Sequence, residues 1–266
     1  VSLRSATRAL IGAVAAVTMG VAFAGAAQAT PPPYHYAALG DSYSAGVGTG
    51  SYDPDSGACK RSDLAHPALW ANSRVVESFT FAACSGATTQ DVLDTQIAQL
   101  PAYADLVTIS IGGNDAGFSR VVGACLLGTD QDCVGAVESS KQFVRTELPA
   151  RLDETYQAIS DAAPAARVFV PGYPRLFELN ACEGGLSLAK RTVLNEAADL
   201  LDEVIADRVA AAGFTFVDVR AAFAGHGVCS ADPWINALVQ PQDDAFHPTA
   251  AGQRNGYFAP LSLAMY

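Results

Sequence analysis

Residues 34–48 read YHYAALGDSYSAGVG. An apolar run from Tyr34 to Leu39 stops at Gly40, and Asp41 and Ser42 follow before more glycine. A buried strand ending in a tight turn with a hydroxyl at its tip gives this pattern, and so does a plain surface loop. The rest of the chain separates the two. Short apolar segments recur at Ser78–Ala83 (SFTFAA), Asp105–Ile111 (DLVTISI), Arg167–Val170 and Phe214–Val219 (FTFVDV). Helical patterns lie between them. Thr89–Leu100 places Val92, Leu93, Ile97 and Leu100 on an apolar face and stops at Pro101. Val134–Ala163 is a long helix with a break expected near Pro149, and Leu188–Ala212 is a long amphipathic helix that stops at Gly213. Thr249 is a candidate N-cap for a terminal helix running toward Met265. Short apolar strands that alternate with helices pair in parallel, because parallel strands need crossovers and helices supply them. The predicted fold class is therefore α/β: a three-layer α/β/α sandwich around a mostly parallel central sheet, one domain over residues 30–266. Tyr34–Leu39 then reads as a strand, and functional groups belong at the carboxyl ends of the strands.

The chain has 266 residues and half of them are apolar, enough for a sizeable core. Residues 1–29 differ from the rest. Arg4 and Arg8 form a basic start, Ala9 to Ala24 is an apolar stretch of small residues, and Ala27-Gln28-Ala29 fits a signal-cleavage pattern. The apolar stretch is short for a spanning helix. Residues 1–29 are thus predicted to be a secretory signal peptide, with a secreted, extracellular mature chain beginning at Thr30. Those residues hold two arginines and no acid, so their removal takes the formal net charge from −11 to −13. Such acidity excludes nucleic acid as a partner, since phosphate contacts need Lys and Arg. No later stretch is apolar enough to span a bilayer, so no integral membrane association is expected.

The mature part holds six cysteines: Cys59, Cys84, Cys125, Cys133, Cys182 and Cys229. An even count behind a secretory signal implies three disulfides. Spacing alone does not choose the pairing, and nearest-neighbour pairing is the simplest arrangement. There is no C-x-x-C and no histidine at zinc spacing from a cysteine, so neither metal nor cofactor is expected.

Four strand ends or late loops carry chemistry: Gly40-Asp41-Ser42, Cys84-Ser85-Gly86-Ala87, Gly112-Gly113-Asn114-Asp115 and Asp243-Asp244-Ala245-Phe246-His247-Pro248. Acyl transfer needs a nucleophile, a base, a group that orients the base, and donors for the oxyanion. Ser42 can be the nucleophile at a helix start, where free backbone amides face developing negative charge. His247 can be the base, and Asp244, three residues earlier, can reach its Nδ1. The Ser42 and Gly86 amides and the Asn114 carboxamide can hold the oxyanion. Glycine at position 86 leaves no Cβ to block a close approach. His35, His66 and His226 read as structural or surface residues. Gly185-Leu186-Ser187-Leu188-Ala189 misses the G-x-S-x-G signature and follows no strand, so it reads as a loop and helix start. Asp53-Pro54-Asp55-Ser56-Gly57 lacks the distal Glu of a calcium loop.

The set GDSYSAG, Gly86, GGND and DAFHP resembles the GDSL or SGNH hydrolase family, whose four blocks supply Ser, Gly, Asn and His in that order. Here they fall at Ser42, Gly86, Asn114 and His247, and the resemblance covers nearly the whole mature chain. It is similar to the secreted single-domain bacterial lipases and esterases of that family. The resemblance implies a flavodoxin-like sandwich, the pairs Cys59–Cys84, Cys125–Cys133 and Cys182–Cys229, and metal-free hydrolysis of carboxylic esters, with an ester or lipid as substrate. Asp244 fits the family's D-x-x-H pattern and is the favoured partner of His247; some relatives use a backbone carbonyl instead. A carbohydrate O-deacetylase and a non-catalytic secreted binding module are the alternatives. The working expectation is a monomer. Candidate walls for the acyl pocket are Phe118, Leu176, Phe177, Trp234 and Ile235.

Overall fold

One sheet of five parallel strands organises the molecule, in the order β2-β1-β3-β4-β5. The computed structural model describes residues 1–2, 33–182 and 185–266. The predicted signal peptide, with its cleavage motif, lies outside the described residues apart from the first two, and the sheet and its helices belong to the unit from Pro33 to Tyr266. The strands are β1 (Tyr34–Gly40), β2 (Val76–Phe81), β3 (Leu106–Ser110), β4 (Arg167–Pro171) and β5 (Thr215–Val217). Each falls where an apolar run predicted it, with ends shifted by a few residues. The helices are α1 (Ser42–Ala45), α2 (His66–Asn72), α3 (Thr89–Asp91), α4 (Phe118–Leu127), α5 (Asp130–Thr146), α6 (Leu148–Ala162), α7 (Leu188–Ala211) and α8 (Ala259–Ala264). One layer holds α2, the π-turn segment Gly252–Phe258 and α8; the other holds α3, α6 and α7, with α4 and α5 packed alongside. The three-layer α/β/α expectation holds.

The strand order reverses between β1 and β3, which are neighbours with β2 on the outer side of β1. In open parallel sheets the crevice at such a reversal is where ligands bind. Strand β1 is internal to the sheet and apolar on both faces, as a doubly covered strand must be. From Tyr36 to Leu39 it is almost fully buried, and the Tyr36 hydroxyl pairs with Thr108 Oγ1 of β3 at 2.7 Å. Gly40 ends the strand at φ +116°, where an added Cβ would strike the Ser110 backbone, so glycine is required there.

Two predicted helices differ in detail. Thr89–Leu100 starts with a capping box between Thr88 and Asp91, widens to a π-turn over Val92–Gln96 and tightens to a 3₁₀ turn over Ile97–Gln99. The widened turn accompanies an inward Gln96, whose buried amide exchanges two hydrogen bonds with Gly40, accepting from N at 2.7 Å and donating to O at 2.9 Å. The long 134–163 helix is two helices that meet at Glu147, and Pro149 sits in the first turn of α6, where no amide is needed. Thr249 does cap the last helical segment, its Oγ1 accepting from Gly252 N at 3.2 Å. The cysteines pair as Cys59–Cys84, Cys125–Cys133 and Cys182–Cys229.

Candidate active site

The turn after β1 presents Ser42 at the start of α1. Asp41 caps that helix, its Oδ1 accepting from Tyr43 N at 3.0 Å. The cap leaves the Ser42 amide unspent, and among the described residues it meets no acceptor. The turn is tied to its neighbours by the backbone: Asp41 N donates to Ser110 O at 3.0 Å, and Ser110 N donates to Ser44 Oγ at 3.1 Å. Cys84 N donates to Gly40 O at 3.0 Å, which fixes the Gly86 loop against the serine turn. The Cys59–Cys84 disulfide and a bond from Ser85 N to Cys59 O anchor that loop from the other side.

Gly86 has φ +81°, and an added Cβ would meet no protein atom within 4 Å. The left-handed backbone, more than crowding within the protein, is what selects glycine here. Its amide is also free of acceptors among the described residues. After β3, the Asn114 Nδ2 donates to Ala87 O at 2.9 Å, which aims the carboxamide and leaves a second N–H to spend.

His247 reaches this point from the far end of the chain. Its Nε2 lies 2.8 Å from Ser42 Oγ. Its Nδ1 lies 3.0 Å from the carbonyl oxygen of Ala245. A carbonyl only accepts, so Nδ1 carries the proton and Nε2 is left to accept from the serine hydroxyl. Burial pushes the imidazole down to about 4, against the Ala245 bond and the nearby Asp244 charge, which both raise it.

The expected Asp244–His247 contact is not made. Asp244 Oδ1 accepts from the Tyr52 hydroxyl at 2.6 Å. The cause is local. Gln242–Asp244 form a 3₁₀ turn, Ala245 leaves it in an extended conformation, and Phe246 turns back at φ +60°. That path carries the histidine past its own Ala245 carbonyl and leaves Asp244 facing the 48–52 loop. Neighbouring Asp243 pairs with Lys60 at 2.9 Å. Tyr43 secures the same loop, donating to Phe246 O at 2.9 Å.

Tyr173 escaped the sequence reading, although it follows β4 at a strand end. Its hydroxyl donates to Asp41 Oδ2 at 2.5 Å and accepts from Gly113 N at 3.3 Å, bridging the serine turn and the asparagine turn. Burial pushes the Asp41 carboxyl up to about 7, with the Tyr173 bond opposing the rise. The other histidines are structural: His66 is buried against Gln253, and His226 stacks on Trp234. Ser187 caps α7, accepting from Lys190 N at 3.2 Å. No group of three or more metal-ligating side chains occurs among the described residues.

A groove runs from Ser42 and Asn114 between α4, α5 and α7, with Tyr173 in its wall and Ala116, Val121, Val144, Leu176 and Leu194 among its apolar lining. Of the predicted pocket residues, Phe118 and Leu176 line it. Phe177 packs on Phe246, Trp234 stacks on His226, and Ile235 is buried in the core.

A hydroxyl 2.8 Å from a buried imidazole, in a groove that Asn114 also lines and with the Ser42 and Gly86 amides unspent, is the equipment that acyl transfer uses. Comparison with known proteins agrees. The family model for the GDSL-like lipase/acylhydrolase family matches residues 38–254. The chain belongs to that family. It is a carboxylic ester hydrolase of the GDSL lipase and esterase type. It is 48% identical to lipase 1 of Streptomyces coelicolor over 256 residues, covering 96% of this chain and 95% of that one. The crystal structure of an extracellular lipase from Streptomyces rimosus aligns at 48% identity with a TM-score of 0.85, over 86% of this chain and 98% of the other. A phospholipase A1 from Streptomyces albidoflavus NA297 aligns equally well, at 48% identity and a TM-score of 0.85, over 87% and 99%. Among the described residues no helix is long and apolar enough to cross a membrane.

Proposed function

We propose that this GDSL hydrolase is an exported lipase or esterase that works through a Ser42–His247 pair. The observation that carries the reading is the 2.8 Å contact between Ser42 Oγ and His247 Nε2, with the ring held by the Ala245 carbonyl. His247 takes the Ser42 proton as Oγ bonds to the ester carbonyl carbon. Charge gathers on the carbonyl oxygen, facing the Ser42 and Gly86 amides and Asn114 Nδ2. The bond to the alcohol oxygen then breaks, and His247 returns its proton to that oxygen. Water repeats the sequence on the acyl-enzyme, releasing the acid and restoring Ser42. Asp244 contributes charge at a distance, which helps the imidazolium, while the Ala245 carbonyl sets the tautomer. All these groups come from one polypeptide, so a monomer suffices.

The apolar lining of the groove beside Ser42 favours lipid-like acyl chains over a carbohydrate-bound acetyl group. The names of the related lipases and of the phospholipase A1 support the same substrate class. The three disulfides and the extracellular relative support export, with residues 1–29 as the signal and Thr30 as the mature start. The test is hydrolysis of p-nitrophenyl esters of rising chain length by the native chain and by Ser42→Ala. The native chain is expected to prefer medium or long acyl groups, and Ser42→Ala to be inactive with an unchanged melting temperature. A variant with native turnover would end the reading, and a preference for acetate alone would favour the deacetylase.

A further inference from the structure

The Ser42 amide and the Asn114 carboxamide stand after different strands, β1 and β3, and must face one oxygen atom. Backbone pairing carries the two strands side by side as far as the bond from Asp41 N to Ser110 O at 3.0 Å. Past that point a third segment joins them. The Tyr173 hydroxyl donates to Asp41 Oδ2 at 2.5 Å and accepts from Gly113 N at 3.3 Å. Each contact falls on the residue immediately before an oxyanion donor. On the serine side, the other oxygen of Asp41 accepts from Tyr43 N, so the Ser42 amide lies between two residues that one carboxyl group ties together. On the asparagine side, an added Cβ on Gly113 would come within 3.3 Å of Tyr173 Cζ, so the ring is packed directly on that turn.

Tyr173 is itself held from behind. Its amide donates to the buried Asp202 Oδ1 at 2.7 Å. Gly172, before it, donates from N to Val217 O at 3.1 Å and accepts at O from the Tyr257 hydroxyl at 2.8 Å. Pro171 O accepts from Ser110 Oγ at 2.9 Å. The ring meets Tyr43 edge to face, with centroids 5.1 Å apart. Burial and the Asp41 charge raise the phenol well above its ordinary value, so it keeps the proton that it donates.

We infer that Tyr173 is a positioning residue for the oxyanion site: its hydroxyl sets the spacing between the Ser42 amide and the Asn114 carboxamide. This rests on the Ser42–His247 mechanism proposed for the chain. Donors stabilise a developing oxyanion only where they already stand at the right distance, and a displacement of a fraction of an ångström is felt in the transition state. Tyr173 therefore acts on kcat through two other residues, and Asp202 secures the backbone from which it does so.

The test is a double-mutant cycle on p-nitrophenyl butyrate, with turnover counted per serine labelled by a fluorophosphonate at completion. Tyr173→Phe keeps the ring and removes the bridge. It is expected to lower kcat about tenfold, less than the loss of a whole donor, with KM within about twofold. In an Asn114→Ala background the same replacement is expected to cost about threefold or less, because no carboxamide remains to be aligned. Asp41→Asn is the second variant. Burial already pushes this carboxyl up to about 7, so a neutral side chain is tolerated there, but one oxygen no longer stands at both the Tyr43 and the Tyr173 positions. It is expected to show the same kcat loss and the same coupling to Asn114. Native kcat in Tyr173→Phe overturns the inference. So do losses that simply multiply when either variant is combined with Asn114→Ala, which would make the bridge a matter of stability alone. A loss that falls on KM overturns it too, since Tyr173 would then be only a wall of the groove. Native turnover in Ser42→Ala, assayed alongside, would instead refute the Ser42–His247 reading.

Discussion

The imidazole of His247 is held by the carbonyl of Ala245, two residues before it in the chain, at 3.0 Å from Nδ1. The carboxylate of Asp244 lies next door but is bonded to Tyr52. In a serine triad, loss of the buried acid costs about 10⁴-fold in turnover because the histidine takes the wrong tautomer. Here the tautomer is set by backbone that no side-chain replacement removes.

Asp244→Asn is therefore expected to lose about tenfold in turnover at most, far from the triad value. Steady-state kinetics on a soluble ester checks this. A loss approaching that of a triad acid would mean that Asp244 swings onto the ring during catalysis.

Asn114→Ala removes a donor whose partner Ala87 O fixes its aim. Removal of one oxyanion donor typically costs on the order of 10²–10³ in turnover. The loss is expected in kcat, with KM little changed, because the interaction matters most in the transition state. A loss below about threefold would exclude Asn114 from the oxyanion site.

The base must be neutral to work, and burial pushes His247 down to about 4. The acid limb of kcat/KM for an uncharged ester is therefore expected to fall well below the ordinary histidine value of 6.5 and near 4. A limb centred near 6.5 would mean that the free enzyme's imidazole is better solvated than its packing indicates.

Stability should fall as the medium becomes alkaline. Burial raises Asp202 from 3.8 to about 8 and Asp41 from 3.8 to about 7. Between the unfolded and folded values the native chain holds protons that the unfolded chain has lost, and that stabilisation disappears as pH rises through the folded values. His66 and His247 act in the opposite sense: both are lowered from 6.5 to about 4, so their contribution is present above 6.5 and lost as pH falls toward 4. From 6.5 to about 8 the two carboxyls dominate this balance, so the melting temperature is expected to drop across that window. Asp202→Asn is expected to flatten the drop while its oxygen still accepts from Tyr173 N. Calorimetry at several pH values decides it; an equal slope in both proteins would refute the assignment.

The legible part of this protein was what local pattern determines. The runs at 34–39 and 105–111 are short, apolar and followed by glycine, so the strands and their functional ends could be read directly. Ser42, Gly86, Asn114 and His247 stood out because they lie at strand ends or just before a helix. What stayed hidden depended on contacts between distant segments or on one unusual dihedral. Gln96 sits within a helical pattern, and only the π-turn reveals that it clasps Gly40. Tyr173 ends a strand as the candidate residues do, but its value lies in bridging Asp41 and Gly113. The i, i+3 spacing of Asp244 and His247 assumed a regular turn, and the positive φ of Phe246 breaks that assumption. Helix α4 has no counterpart among the predicted elements, although it supplies Phe118 to the groove beside Ser42.

The whole mechanism depends on a covalent acyl-enzyme at Ser42, formed with His247 as the base. A serine-directed fluorophosphonate followed by peptide mass spectrometry reads that bond out. One adduct per chain is expected, on the peptide containing Ser42, and none in Ser42→Ala or in the native chain after unfolding. Ester hydrolysis by a native chain that takes up no label, or label carried on a different serine, would refute the mechanism.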